Sequence, residues 1–175
     1  MTPAEARGTL LAGSHVAPLT RALLAYWSCM RGKVLELGVG WWSTPLLHGL
    51  CEWGSEELVS VDDDPEWVKA LGDIYRRPWH HFISNPDIRD LTYQHWGLAF
   101  VDSSPGDKRV DMILALKHRV EVFVAHDVEA DIPPSAGAYG WSRLDGAFKY
   151  EYVFKDVRPW TAIWSDSLDV RGLFR

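Results

Sequence analysis

The sequence predicts a single-domain, doubly wound α/β protein, with a helix leading into a seven-stranded, mostly parallel sheet that ends in an antiparallel hairpin. Three observations predict it. Short apolar runs alternate with segments of helical period along most of the chain. One run, Val34-Leu35-Glu36-Leu37, breaks into Gly38-Val39-Gly40, and a helix start follows at Ser43-Thr44-Pro45. Two late runs, at 150–154 and 161–164, are joined by a link too short for a helical crossover, so the spacing permits an antiparallel hairpin.

Each element has its own signal. Residues 1–15 mix Pro, Ala and Gly without a strong period and are expected to be loosely ordered. Leu19, Leu23, Leu24 and Trp27 recur at helical spacing, and Arg31-Gly32 suits a helix stop. Strand 1 is expected at 33–38, then the glycine turn, then a helix through about Cys51. Leu58-Val59-Ser60-Val61 reads as strand 2 and runs into Asp62-Asp63-Asp64-Pro65. Trp67, Val68, Leu71 and Ile74 mark the next helix. Its end, with Arg76-Arg77 and His80-His81, reads as solvated, while 80–84 carries a weak strand 3. Strand 4 at 98–101 ends in Asp102-Ser103-Ser104-Pro105, a helix covers 109–116, and strand 5 at 120–125 ends in His126-Asp127. Asn85-Pro86-Asp87-Ile88 reads as a turn. The Pro-, Gly-, Ala- and Ser-rich segment at 130–148, with Tyr139, Trp141 and Arg143, reads as a loop able to act as a substrate lid.

Composition narrows the function. The chain of 175 residues suits one domain, 1–175, with a full core. A net charge of −6 argues against a general nucleic-acid binder. No apolar run approaches the roughly 18 residues of a membrane span, and the N-terminus lacks a charged-then-apolar leader pattern. Cys29 and Cys51 form no CxxC pair, so both read as core filler in a reduced, cytoplasmic protein. The ten tryptophans must fill the core or line a pocket.

In an open α/β sheet, ligands bind beyond the carboxyl ends of the strands, near the switch point. Here strands 1, 2, 4 and 5 end in glycine, acid, serine or histidine. Gly38-Val39-Gly40 before a helix offers backbone amides to a nucleotide-like ligand. Glu36 stands where a plain strand prefers an apolar residue, and it can accept from an ammonium or order the glycine backbone. It would also repel a pyrophosphate. Asp62 closes strand 2 about two dozen residues later, where an acid commonly holds ribose hydroxyls. Gly38-x-Gly40-x-x-Ser43 also nearly matches the dinucleotide fingerprint, which keeps an NAD(P)-dependent oxidoreductase as a rival.

Glu36-Leu-Gly38-Val-Gly40 with Asp62 resembles the class I S-adenosylmethionine-dependent methyltransferases, a Rossmann-like α/β family whose seven-stranded sheet ends in an antiparallel hairpin. More narrowly, Gly40-Trp41-Trp42-Ser43-Thr44 followed by Asp62-Asp-Asp64-Pro-Glu-Trp67 is similar to small members with a GxGxST first motif. Phe100-Val-Asp102-Ser-Ser-Pro105 and Val124-Ala-His126-Asp127 also look like that group, and the resemblance covers roughly residues 16–166. Trp42 replaces the usual third glycine of the turn. The resemblance implies S-adenosylmethionine as cofactor. Glu36, Gly38 and Gly40 would border its aminocarboxypropyl part, Asp62 or Asp63 its ribose and Asp87 its adenine. Ser43, Thr44 and Asp102 complete that set.

Methyl transfer from a sulfonium is an in-line displacement governed by positioning, with a base useful where the acceptor is a hydroxyl. His126 is the candidate base, with Asp102 as its catalytic neighbour. Asp102 and Asp127 end adjacent strands, and the pair suits Mg²⁺ or Ca²⁺. Trp41 and Trp42 on the turn either cap the core edge or shield a ligand. The expected function is methyl transfer to a small or medium acceptor, at oxygen. A cofactor-binding scaffold without turnover is the second reading. A small-molecule acceptor is the expected partner, and a homodimer stays open, with no seam visible in the sequence.

Overall fold

The structure, a computed structural model, describes residues 16–29, 32–129 and 139–174. The expectations for 1–15, for Arg31 and for the 130–138 part of the lid lie outside the described residues. The described chain folds into helix α1 (Val16–Cys29), β1 (Val34–Leu37), α2 (Ser43–Gly54), β2 (Leu58–Asp62), α3 (Pro65–Tyr75), β3 (His80–Ser84) and α4 (Ile88–Leu91). There follow β4 (Trp96–Val101), α5 (Arg109–Leu116), β5 (Val120–His126), β6 (Tyr150–Phe154) and β7 (Thr161–Ser165). Short 3₁₀ turns lie at Gly106–Lys108, Trp141–Leu144 and Val170–Phe174.

The seven strands form one sheet in the order β3-β2-β1-β4-β5-β7-β6. The first four pairings are parallel, while β7 runs antiparallel to both β5 and β6. The order reverses between β1 and β4, which places the switch point at the glycine turn.

Side chains alternate across a strand, so each strand feeds both faces. Leu35, Leu37, Val59, Val61, Ala99, Val101 and Phe123 pack with Val110, Ile113 and Leu116 of α5. Val34, Leu58, Leu98, Phe100, Val122 and Val124 pack with Leu19, Leu23 and Trp27 of α1 and with Leu47 and Cys51 of α2. Each fully buried aliphatic or Phe side chain in these layers is worth about 1.5–3 kcal/mol of transfer free energy. The parity that buries Val34 and Leu58 also buries Glu36 and Ser60, two residues on, and the β1–β2 register sets those two side by side.

Three details differ from the sequence reading. Strand β4 starts two residues earlier than expected because Trp96 is fully buried and its indole N–H donates to the Leu91 carbonyl at 2.9 Å. A short helix, α4, occupies what reads as a turn, because Asp87 caps it by accepting from Arg89 N–H. His80 is fully buried, not solvated: in β3 its side chain points inward while His81 points out. Cys51 fills the core as expected, and burial pushes its thiol pKa well up. Among the described residues no helix is long and apolar enough to cross a membrane.

Candidate active site

A cleft of about 260 Å³ opens at the carboxyl ends of β1, β2 and β4. Gly38, Asp62, Asp63, Asn85, Pro86, Ile88, Ser103, Ser104 and Met112 are among its lining residues. Gly38 is required twice over. Its φ is +102°, and a Cβ there would lie 2.5 Å from the Asp102 carbonyl carbon and oxygen. Only glycine lets the end of β4 approach the turn so closely.

Glu36 lies beneath the turn, fully buried and absent from the cleft wall. The Thr44 hydroxyl donates to it, 2.9 Å from each carboxylate oxygen, and the Ser60 hydroxyl donates at 2.5 Å. Ser43 adds another hydroxyl contact. Thr44 Oγ1 in turn accepts the Gly40 N–H at 3.1 Å. Glu36 therefore orders the glycine backbone, one of the two roles open to it from sequence. Ser43 and Thr44, expected around the cofactor, serve Glu36 from the first turn of α2. Burial raises the Glu36 pKa to about 7 despite these hydrogen bonds. The chain continues through Ser60 to His80 Nε2 at 2.9 Å and from His80 Nδ1 to His48 Nδ1 at 2.9 Å. Burial, with the nearby His48 and His81, drives the His80 pKa down to about 3.

Asp62 fastens the far side of the turn. Its Oδ2 accepts from Val39 N–H at 2.8 Å and its Oδ1 from Asp64 N–H at 2.9 Å. A carboxylate offers about four acceptor positions, so about two remain for a ligand. Burial raises its pKa, opposed by those two backbone donors. Asp63 stands on the cleft wall and is exposed. Asp87 is absent from that wall and pairs with Arg89, while its neighbours Pro86 and Ile88 line it. A carboxylate with open acceptor positions, apolar walls and a close backbone approach are a lining that fits a cofactor such as S-adenosylmethionine. Trp41 packs against the Val39, Val68, Leu71 and Phe82 cluster, and Trp42 is about one-third exposed.

Asp102, His126 and Asp127 converge beyond β4 and β5. His126 Nδ1 lies 3.4 Å from Asp102 Oδ2 and 3.4 Å from Asp127 Oδ1. Burial lowers the His126 pKa, but the hydrogen bond and charge of Asp102, with Asp127 behind it, outweigh burial and the net shift is upward. The sequence reading passed over a fourth member, Arg109. Its Nη2 lies 2.9 Å from Asp102 Oδ1 and its Nη1 3.2 Å from Asp127 Oδ2, and its Nε donates to the Ser103 carbonyl at 2.7 Å. The signal was its place at the first position of α5, where the helix dipole disfavours a cation that no acid holds.

The donor atoms of Asp102, His126 and Asp127 lie within 4.8 Å of one another, close enough to surround an ion. The donor set nevertheless does not fit a divalent metal. The buried Arg109 guanidinium already bridges both carboxylates and supplies the charge that an ion would bring.

No protein-family model and no curated protein matches this chain. Solved structures do. The O-methyltransferase from Bacillus cereus in complex with SAH superposes with a TM-score of 0.64 at 15% identity, covering 93% of this chain and 86% of that one. Human methyltransferase-like protein 13 in complex with SAH gives 0.64 at 15%, covering 88% and 82%. Spermidine synthase from Thermotoga maritima gives 0.63 at 15%, covering 87% and 60%. The chain spans about three-fifths of the length of the spermidine synthases it matches. The fold is the Rossmann-like α/β fold that these solved methyltransferases and spermidine synthases share. The antiparallel hairpin at the sheet edge, in the order β5-β7-β6, lies within the described residues.

Proposed function

We propose that this chain binds S-adenosylmethionine in the cleft at Gly38 and Asp62 and transfers its methyl group to the oxygen of a small acceptor, as a small member with a GxGxST first motif. One observation carries the reading: Gly38 and Asp62 line one cleft, and the Asp102–His126 pair, which does not line it, stands at the carboxyl ends of β4 and β5 on the same edge of the sheet. The solved structures of this fold bound to SAH add weight to the cofactor.

The bound cofactor supplies an electrophilic methyl group on a sulfonium. Asp62 takes the ribose hydroxyls with the acceptor positions that Val39 and Asp64 leave, and Asp63 supports it from the cleft wall. Gly38 lets the β4 end close on the ligand. His126 takes the hydroxyl proton as the acceptor oxygen attacks, and Asp102 holds the ring in position and stabilises its protonated form. Arg109 pairs with Asp102 and Asp127 and holds both carboxylates in place beside it.

The test is calorimetric titration of the protein and its Asp62→Ala variant with S-adenosylmethionine, S-adenosylhomocysteine and NAD(H). Micromolar binding of the first two, weakened about 100-fold or more in the variant, is expected for a lost charge-assisted pair of contacts. Heat from NAD(H) alone would replace this reading with the oxidoreductase.

A further inference from the structure

A second cleft, of about 530 Å³, lies between the segment after β5 and the β6–β7 hairpin, and its walls are aromatic and acidic. Trp141 and Trp164 stack with ring centres 5.9 Å apart, and Trp160 stands on the same wall. Three acids, Glu129, Asp145 and Glu151, face one base, Lys155. The cleft therefore repels anions and favours cations.

Glu129 is the informative residue. It is only 7% exposed, and its Oε1 accepts the Trp160 N–H at 2.8 Å. Its Oε2 is shut off from solvent and has no hydrogen-bond partner among the described residues. A buried carboxylate oxygen left without a donor is costly, so a group of this kind calls for a counter-ion. Lys155 does not fill that role: its ammonium sits 4.8 Å from the centre of the Trp160 ring and makes no ion pair with Glu129. Trp160 also carries the Arg158 guanidinium at 5.0 Å, so this ring already works as a cation platform.

We propose that this cleft binds an organic cation, an alkylammonium group, with Glu129 as its counter-ion and the Trp141 and Trp160 rings as its walls. The Trp141 indole N–H donates to the Asp127 carbonyl at 3.0 Å, which ties the cleft to the acidic cluster around His126. The inference rests on the proposed methyl transfer only in making this cation the anchoring end of the acceptor; the binding itself does not depend on it.

The test uses the full chain and n-butylammonium, with 1-butanol as its uncharged counterpart and S-adenosylhomocysteine titrated alongside. n-Butylammonium is expected to bind at least about tenfold more tightly than 1-butanol, and the preference shrinks as salt rises. Glu129→Gln is expected to lose about tenfold or more toward the amine while keeping its affinity for S-adenosylhomocysteine. Equal affinity for amine and alcohol overturns the inference, as does a folded Glu129→Gln that binds the amine unchanged. If that variant fails to fold, Trp160→Leu and the amine-to-alcohol ratio of the unaltered protein decide. Binding of S-adenosylhomocysteine without the amine sinks only the cation site. Binding of the amine without S-adenosylhomocysteine supports the site and sinks the proposed methyl transfer.

Discussion

Glu36 and Thr44 hold the glycine turn between them: one hydroxyl donates to the buried carboxylate at 2.9 Å and accepts the Gly40 N–H at 3.1 Å. The acid of the first motif thus acts on the turn from below. It titrates in an unusual place. An unfolded Glu ionises near pH 4.3, whereas burial raises Glu36 to about 7 in the folded protein. Between those values the native state keeps a proton that the unfolded state releases. The stabilisation is full below the unfolded value and is lost as pH rises through 7, a change of about 4 kcal/mol.

His80 works in the opposite direction. Its folded pKa of about 3 lies below the unfolded value of about 6.5, so the unfolded state gains the proton first. Its contribution is full above the unfolded value and is lost as pH falls toward 3. From about pH 4.5 to 6.5 the two slopes cancel in the unaltered protein. Glu36→Gln is expected to uncover the histidine slope, with stability rising with pH across this window. His80→Asn should uncover the glutamate slope, with stability falling. Urea unfolding at several pH values reads both, and parallel curves for all three proteins would refute the opposition.

Gly38→Ala meets backbone, not a side chain that can swing away. The new Cβ would sit 2.5 Å from the Asp102 carbonyl in a left-handed region that alanine avoids. Overpacking and backbone strain together predict a loss of about 2–4 kcal/mol in chemical unfolding. Binding of S-adenosylhomocysteine should be lost as well, because the β4 end must retreat. A variant with unchanged melting and affinity would show that β4 can yield at no cost.

The strands and the turn were legible because periodicity and glycine act locally. The ranges at β3, α5 and β6 match the expectation residue for residue. Asp102, His126 and Asp127 were legible as strand ends, since a parallel order brings neighbouring ends together. What escaped depends on side-chain direction and on distant partners. His80 looked like part of a solvated helix end, and only its inward place in β3, within hydrogen-bond reach of Ser60 and His48, makes it core. Arg109 looked like an ordinary helix residue until the two acids that hold it were in place. The cap that Asp87 makes on α4 was not legible either, because Asn85-Pro86-Asp87-Ile88 reads as a turn.

Arg109 predicts that metal removal does nothing. Its guanidinium occupies the charge position between Asp102 and Asp127, so chelator or millimolar Mg²⁺ or Ca²⁺ should shift the melting temperature by less than about 1 °C. Arg109→Met leaves two acids facing each other and should cost about 3–5 kcal/mol. In that variant alone, Mn²⁺ or Ca²⁺ should raise the melting temperature, since the Asp102, His126 and Asp127 donors then surround an uncompensated site. A clear response of the unaltered protein to chelator would restore the metal.

His126 decides whether the acidic cluster can serve as a base. Burial alone would lower its pKa, yet the Asp102 hydrogen bond and the charges of Asp102 and Asp127 raise it above the ordinary histidine value. A raised folded pKa stabilises the protein fully below the unfolded value of about 6.5, and this is lost as pH rises through the folded value. The imidazole resonances of His126, followed by NMR against pH, should titrate above that ordinary value. In Asp102→Asn, which removes the larger of the two carboxylate effects, they should titrate at lower pH than in the unaltered protein. Methyl transfer to a hydroxyl should follow the same proton, rising with pH as the ring becomes neutral, with the rise moved to lower pH in Asp102→Asn. If His126 titrates identically in both proteins, Asp102 does not tune the ring, and the base must be sought at another residue.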